Sequence, residues 1–430
     1  MGYLVLGRVR NIFMEANKRI AFLIISLLVL FSCSKIFAVK SNNSDIYSGS
    51  NQNSSIIKKE TSLVKAKTIT IDEAEKETVD KSYLEYLSSF SNSLIENVRK
   101  KQYGETFVFS PLSYYLSLSS LYSLCLSNND KAFNLLGADS QEELISFVGN
   151  LTRRIFESDN NPNKPKRIMI SNLVADYTNA FNEQEIDKIT NTLYASYIDN
   201  PNTINNDLDS FMSEISNGKI EKYPFNKPKI DSTSFISSLY VDIPYPLVFN
   251  SNTIKMPFNG MGEYDYFRSD QNISELTIND DYLAFKMGNL RFVKPINDSL
   301  DDFFLNHSFD GCFQKNNHEE QKVILGIPKI SIDSPLELLD IAKENGFLND
   351  NSIEFNEDNL PYFIDNLTQD NYVSFSDSGV RAYSANIMGV IPYNAPVASI
   401  NLDTSYAFEI TGRDDIVLFY GEVNSLENAN

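Results

Sequence analysis

The chain has no tryptophan, two histidines and three cysteines among its 430 residues. Each shortage excludes something. Cys33, Cys125 and Cys312 are too few for a disulfide framework. Cys125 lies in the apolar run "LYSLCL" and reads as a small buried hydrophobe; Cys312, in "DGCF", reads as a free thiol unless it pairs with Cys125. His307 and His318 fall in a polar stretch and read as surface residues. No His/Cys/Asp/Glu spacing suits a metal, so no metal site and no cofactor are expected. No glycine-rich phosphate loop and no Ser-His-Asp order offers catalytic machinery. The carboxylate pairs Asp301-Asp302 and Glu319-Glu320 read as solvated faces rather than acid–base partners. An enzyme is not expected. Positive charge is also short, 37 Lys and Arg against 57 Asp and Glu for a net charge of −20, which argues against a nucleic-acid partner.

Hydrophobic residues make up 42% of the chain, enough for a real core, and the length suits one large domain or two ordinary ones. Lys18 and Arg19 precede an apolar run from Ile20 to Phe31. At about twelve residues, that run is short for a membrane span and right for a signal-peptide core. It ends in Leu30-Phe31-Ser32-Cys33, which resembles a bacterial lipobox with Phe31 as its unusual member. That resemblance implies lipidation at Cys33; plain secretion or a short anchor helix is the alternative. Residues 1–33 are therefore read as a signal peptide with lipobox. Residues 34–82, rich in Ser, Asn and Lys, are read as a flexible tether spanning roughly 40 Å as a coil.

From Tyr83 the pattern turns helical. Leu84, Leu87, Phe90, Leu94 and Val98 recur at spacings of three and four. Phe107–Phe109 reads as a short strand, and Ser110-Pro111 as a helix start with a serine cap and proline in the first turn. The helix that follows is apolar on nearly every side and should be buried. Helical stretches are expected over about 130–157 and 183–216. Strands dominate from 234: "FISSLYVDI", a hairpin around Gly260-Met261-Gly262, "YLAFKMG", "LRFVKP", "KVILGIPKISI", "NYVSFSD", "SYAFEITG" and "DIVLFYGEV". "SPLELLDIAKENGFL" reads as a short helix capped by Ser334, with Pro335 in its first turn and Gly346 near its end. Helices first and strands later predict α+β.

Six motifs in order carry a family resemblance. They are Phe109-Ser110-Pro111-Leu112-Ser113; Ser216-Asn217-Gly218-Lys219-Ile220; Ser237-Ser238-Leu239-Tyr240-Val241; Ile327-Pro328-Lys329-Ile330; Ser405-Tyr406-Ala407-Phe408; and Leu418-Phe419-Tyr420-Gly421-Glu422-Val423. Over residues 83–425 the chain resembles a serpin. The resemblance implies a helical N-terminal half around a large central sheet with smaller sheets, and an exposed reactive centre loop near the C-terminus. It implies a suicide substrate for a serine, or alternatively cysteine, protease. The cleaved loop would insert into the sheet as a new strand and distort the acyl-linked enzyme. With the lipobox, it implies a monomer held on a bacterial membrane, at its outer surface or periplasmic face. The other reading is a non-inhibitory scaffold or binding lipoprotein.

The loop is "FSDSGVRAYSANIMGVIPYNAP". By the resemblance its hinge is Gly379, Val380, Arg381, Ala382, Tyr383 and Ser384. Alternation then sends Val380, Ala382, Ser384, Asn386, Met388 and Val390 inward, and puts Arg381, the only charge among them and their neighbours, outward. Asn386 is the awkward inward residue, since an unpaired buried amide costs roughly 1–3 kcal/mol. Counting from Gly379 puts the reactive bond at Tyr393–Asn394, or one place on. An aromatic there suits a chymotrypsin-like protease. The shutter beneath the opening strands corresponds to Ser110, Ser113, Ser237 and Gln369, and the family's tryptophan at the top of the opening corresponds to Tyr245. The last three of these depart from the family's Asn, His and Trp.

Overall fold

The computed structural model describes residues 62–125, 130–158, 167–215, 221–223, 232–247, 249, 253–313, 321–348, 352–355, 362–377, 379–380 and 398–427. The first half runs α1 (Ile71–Lys76), α2 (Lys81–Lys101), β1 (Phe107–Phe109), α3 (Pro111–Leu124), α4 (Asp130–Leu135), α5 (Gln141–Ile155), β2 (Glu157–Ser158), β3 (Arg167–Asp176), α6 (Glu183–Asn191), β4 (Ala195–Ile198) and α7 (Ile204–Ile215). Strands β5 (Thr233–Pro244), β6 (Thr253–Phe258), β7 (Met261–Ile278), β8 (Tyr282–Met287) and β9 (Leu290–Pro295) follow, then α8 (Leu300–Asn306), β10 (Gln321–Pro328), β11 (Ser331–Glu337) and α9 (Leu339–Glu344). The chain closes with β12 (Ser352–Ile353), β13 (Tyr362–Phe363), β14 (Thr368–Ser374), β15 (Gly379–Val380), β16 (Ala398–Asn401), β17 (Tyr406–Thr411) and β18 (Val417–Val423). The class is α+β, as expected.

Two sheet systems matter. One is a nine-stranded mixed sheet, ordered β1-β18-β17-β9-β8-β7-β10-β16 with β6 beside β7. The other is in two pieces: β15-β5-β3-β2 with β4 beside β3, and the antiparallel pair β11-β14. In the first, every residue of β17 and β18 is buried. Phe292, Phe408, Tyr406 and Tyr420 are among its fully buried side chains. Helix α3 is buried along nearly its whole length, because its sequence offers no polar face beyond small serines. Helix α2 turns Leu87, Leu94 and Val98 inward, with Leu84 and Phe90 packed at the margin of the core. The hairpin turns at Asn259 and Gly260, which adopt φ of 50° and 73°.

Several expectations need correction. The boundary between tether and domain, drawn at 82, falls too late. Val64 pairs antiparallel with Tyr197 of β4, and the Lys67 amide donates to the Thr190 carbonyl at 2.9 Å. Ser62 Oγ donates to buried Asp207 at 3.1 Å. Helix α1 is closed by a capping box between Thr70 and Glu73, and Arg153 Nε donates to Glu77 at 2.5 Å. Residues 62–80 are thus a strap lying against β4, α5 and α7; residues 1–61 lie outside the described residues. The stretch 183–216 is not one helix: Thr192–Tyr194 break it, and β4 lies between α6 and α7. Ser334 and Pro335 are not a helix start. They lie inside β11, where Ile332, Ser334 and Leu336 turn inward while Asp333, Pro335 and Glu337 stay exposed. Helix α9 begins only at Leu339, without a side-chain cap. Strand β16, which pairs parallel with β10, was not foreseen at all. Cys125 and Cys312 are both free and buried, and burial pushes the Cys312 thiol up to about 12. His307 is half-buried, stacked on Phe303 at 4.2 Å. Asp301 is no solvated face: its side chain is 10% exposed beside Arg99.

Candidate functional site

The two pieces of the split sheet face each other across a cleft of about 820 Å³. One wall is Ser232–Ser238 at the start of β5; the other is Ile364–Asp370, leading into β14. The floor is α3, through Ser113, Tyr114, Ser117, Leu118 and Leu121. No ladder joins β5 to β14 among the described residues. The first seven residues of β5 are only half-buried.

The floor is fixed by its first turn. Ser110 caps α3 by accepting from the Ser113 amide at 3.1 Å, with Pro111 next in line. Gln369 of β14 then grips this turn in both directions. Its Nε2 donates to the Ser110 carbonyl at 2.9 Å, and its Oε1 accepts from the Ser110 amide at 2.7 Å. Gln369 therefore ties one wall to the floor, and the floor's helix start keeps its backbone groups satisfied.

The opposite wall is anchored at its lower end. Asp176 of β3 accepts from Tyr197 Oη, Thr233 Oγ1 and Thr178 Oγ1, each at 3.0 Å. Higher up, the polar accounting fails. Asn172 of β3 and Ser237 of β5 stand directly opposite each other in register. Both amide atoms of Asn172 and the Ser237 hydroxyl are buried without hydrogen-bond partners. Sequence reading selected Ser237 but missed Asn172. It shares the inward parity of Ile168, Ile170 and Val174 with buried Asp176, and parity alone does not single it out.

Beyond the cleft, the far end of β5 is paired. β15 pairs antiparallel with β5, Gly379 opposite Pro244 and Val380 opposite Ile243. The turn into it is held by Ser376, whose amide and hydroxyl donate to the Gly379 carbonyl at 3.0 and 2.7 Å, and by the Phe249 amide, which donates to the Asp377 carbonyl at 2.8 Å. Glycine is required here for space. A Cβ at Gly379 would strike the Ile243 carbonyl oxygen and stand 2.7 Å from Pro244 Cα. Tyr245, buried beside this point, meets Phe249 edge-on at 5.1 Å, and burial pushes its phenol well above the usual range.

Ser113, Ser237 and Gln369 line one cleft, with Ser110 holding its floor, while Gly379 and Val380 pair with the far end of β5 outside that lining. They do not form one hydrogen-bonded network, since Gln369 bonds Ser110 and not Ser237. Arg381, Ala382, Tyr383, Ser384, Tyr393, Asn394 and Cys33 lie outside the described residues. Among the described residues no group of acidic, histidine and cysteine side chains could hold a metal.

No family model matches the chain, and no curated protein matches it by sequence. Solved structures do match. The thermophilic serpin Tengpin in its native state aligns with a TM-score of 0.66 and 17% identity, covering 84% of this chain and 98% of that one. Serpin48, a highly specific serpin of the insect Tenebrio molitor, gives 0.65 and 18%, covering 81% and 99%. Human thyroxine-binding globulin, complexed with thyroxine, gives 0.64 and 16%, covering 80% and 99%. At such identities the likeness speaks for the fold alone.

Proposed function

We propose that this chain, which has the serpin fold, is a suicide-substrate inhibitor of a chymotrypsin-like serine protease, held at a bacterial membrane through Cys33. The observation that carries the reading is the strand-walled cleft between β5 and β14, with β15 paired to the far end of β5. In this reading the protease attacks after Tyr393. Its serine becomes acyl-linked to Tyr393, and the new amine leaves with Asn394. The loop from Arg381 onward then pairs along β5, and the linked protease is carried with it. Insertion supplies the driving force. A strand of about ten residues adds ladder hydrogen bonds worth roughly 0.5–1.5 kcal/mol each, plus apolar burial over α3.

A second reading has a specific observation behind it. Gln369 serves the Ser110 backbone and leaves Ser237 without a partner, unlike the shutter that the resemblance implies. The same fold also includes a globulin complexed with thyroxine. A non-inhibitory binding protein would keep the cleft and lack the trapping kinetics. Incubation with chymotrypsin separates the two. An SDS-stable one-to-one complex supports inhibition; quantitative release of cleaved chain, with active protease remaining, supports the binding protein.

A further inference from the structure

The cleft is layered. Gln369 points to the α3 side, where it bonds the Ser110 backbone, and strand alternation turns its neighbour Asp370 to the outer rim. The inner layer is apolar and aromatic. The Phe355 ring centre lies 5.8 Å from that of Phe235 and 4.9 Å from that of Tyr362, and Leu118 and Leu121 of α3 close the floor. The rest of the lining is different in kind. Tyr223 is fixed by its amide, which donates to Asp209 of α7 at 3.0 Å. Burial, and then the nearby charge of Asp370, push the Tyr223 phenol up to about 12. Phe363, 68% exposed, and Asp365 belong to the same lining. Among the described residues no lysine, arginine or histidine lines the cleft.

Charge complementarity names the occupant. An anionic ligand would meet the carboxylates of Asp365 and Asp370. A cation gains from both, and from the ring faces of tyrosine and phenylalanine, which attract positive charge within about 6 Å of the ring centre. The chain's net charge of −20 draws cations toward it in the same sense. The volume of about 820 Å³ suits a small organic molecule, with an apolar lining to bury its body and a few polar groups to orient it. We propose that the cleft binds an organic cation with an apolar body. Its rings enter the inner layer beside Phe235 and Phe355, and its ammonium head sits at the rim by Tyr223 and Asp370. The proposal goes beyond the inhibitor reading and requires no loop insertion. Trapping of chymotrypsin is read from an SDS-stable complex on its own, so either can fail without the other.

The test is isothermal titration of the full, uncleaved chain at neutral pH and low salt, with three probes of one shape: diphenylpropylamine, diphenylpropanol and diphenylpropanoate. The amine, as its ammonium form, should bind about tenfold more tightly than the alcohol, and the carboxylate more weakly than either. Asp370→Asn keeps the side chain's shape and removes its charge. It should weaken the amine by about threefold or more and leave the alcohol unchanged. Tyr223→Leu removes the ring and should weaken the amine more than the alcohol, whereas Tyr223→Phe keeps the ring and should retain the amine's preference. Asp333→Asn removes an exposed charge on β11, outside the cleft lining, and should change neither. Melting curves identify any variant that has lost its fold. Equal affinity for the three probes, or binding of none, overturns the proposal. So does an Asp370→Asn variant that weakens amine and alcohol alike, or an Asp333→Asn variant that matches it, for then the cation answers to the fold or to the net charge and not to this cleft.

Discussion

Strands β5 and β17 both carry strand-forming residues and stand in opposite circumstances. Every residue of β17 is buried between β9 and β18. The first seven residues of β5 are half-buried, and no ladder joins them to β14 among the described residues. The difference lies in what stands beside each strand, not in the strand itself. β17 is paired on both sides, whereas no ladder joins β5 to β14 among the described residues.

Truncation in the two regions should sharpen this contrast most. Phe408→Ala, in the sheet of β17, should cost about 3–5 kcal/mol in denaturant melts. Phe235→Ala, at the cleft wall, should cost well under half of that in the intact protein. It should cost more after loop cleavage, when Met388 would lie opposite it. Equal costs at both sites in the intact protein would break the comparison.

At the far end of β5, Gly379→Val should expel β15 from the sheet, since the new side chain would collide with the Ile243 carbonyl. The expected result with chymotrypsin is loss of covalent complex in favour of cleaved product by at least tenfold, the equivalent of about 1.4 kcal/mol in the insertion barrier. An unchanged product ratio would show that insertion does not start at this glycine.

The strap should matter less. Arg153→Ala removes bonds to Glu77, to Tyr194 Oη at 3.0 Å and to Asn150 at 2.6 Å. A loss of about 1–2 kcal/mol is expected, with protease nicking near residues 62–80 rising in step. The composition of this segment is that of a tether, and only its partners reveal otherwise. Its anchors are backbone bonds to β4 and α6 and ion pairs to distant helices, which local sequence does not encode.

The same distinction explains how much of the molecule was legible. The order of the six motifs foretold the fold. Ser334-Pro335 misled because a cap-and-proline signal outweighed the alternation of Ile332, Ser334 and Leu336 beside it. Strand β4 was hidden because four consecutive buried residues have no period to read. Asn172 escaped because its meaning depends on facing Ser237 across a ladder.

A pH-dependent effect is expected in the nine-stranded sheet. Glu409 is buried on β17 and bonded through Oε2 to Arg291 Nη1 at 2.8 Å, while Asp310 lies 2.7 Å from the same nitrogen. Burial pushes the Glu409 carboxyl up to about 8, against the pull of Arg291 and with the push of Asp310. The folded state therefore holds this proton more tightly than the unfolded chain. The contribution is fully present below the ordinary glutamate range and is lost as pH rises through about 8. Melting temperature should fall between pH 5.5 and 8.5, and Glu409→Gln should flatten that fall. A steeper fall in the variant would contradict the assignment.

The central claim is that the cleft between β5 and β14 is a strand position awaiting the chain's own loop. Guanidinium melts of intact protein and of protein nicked once near Tyr393 test it directly. The account predicts a higher midpoint for the nicked form, reflecting a stabilisation on the order of 10 kcal/mol for about ten new ladder bonds. Coincident melts would contradict it, for then the cleft would be a feature of the finished molecule and not a vacancy in it.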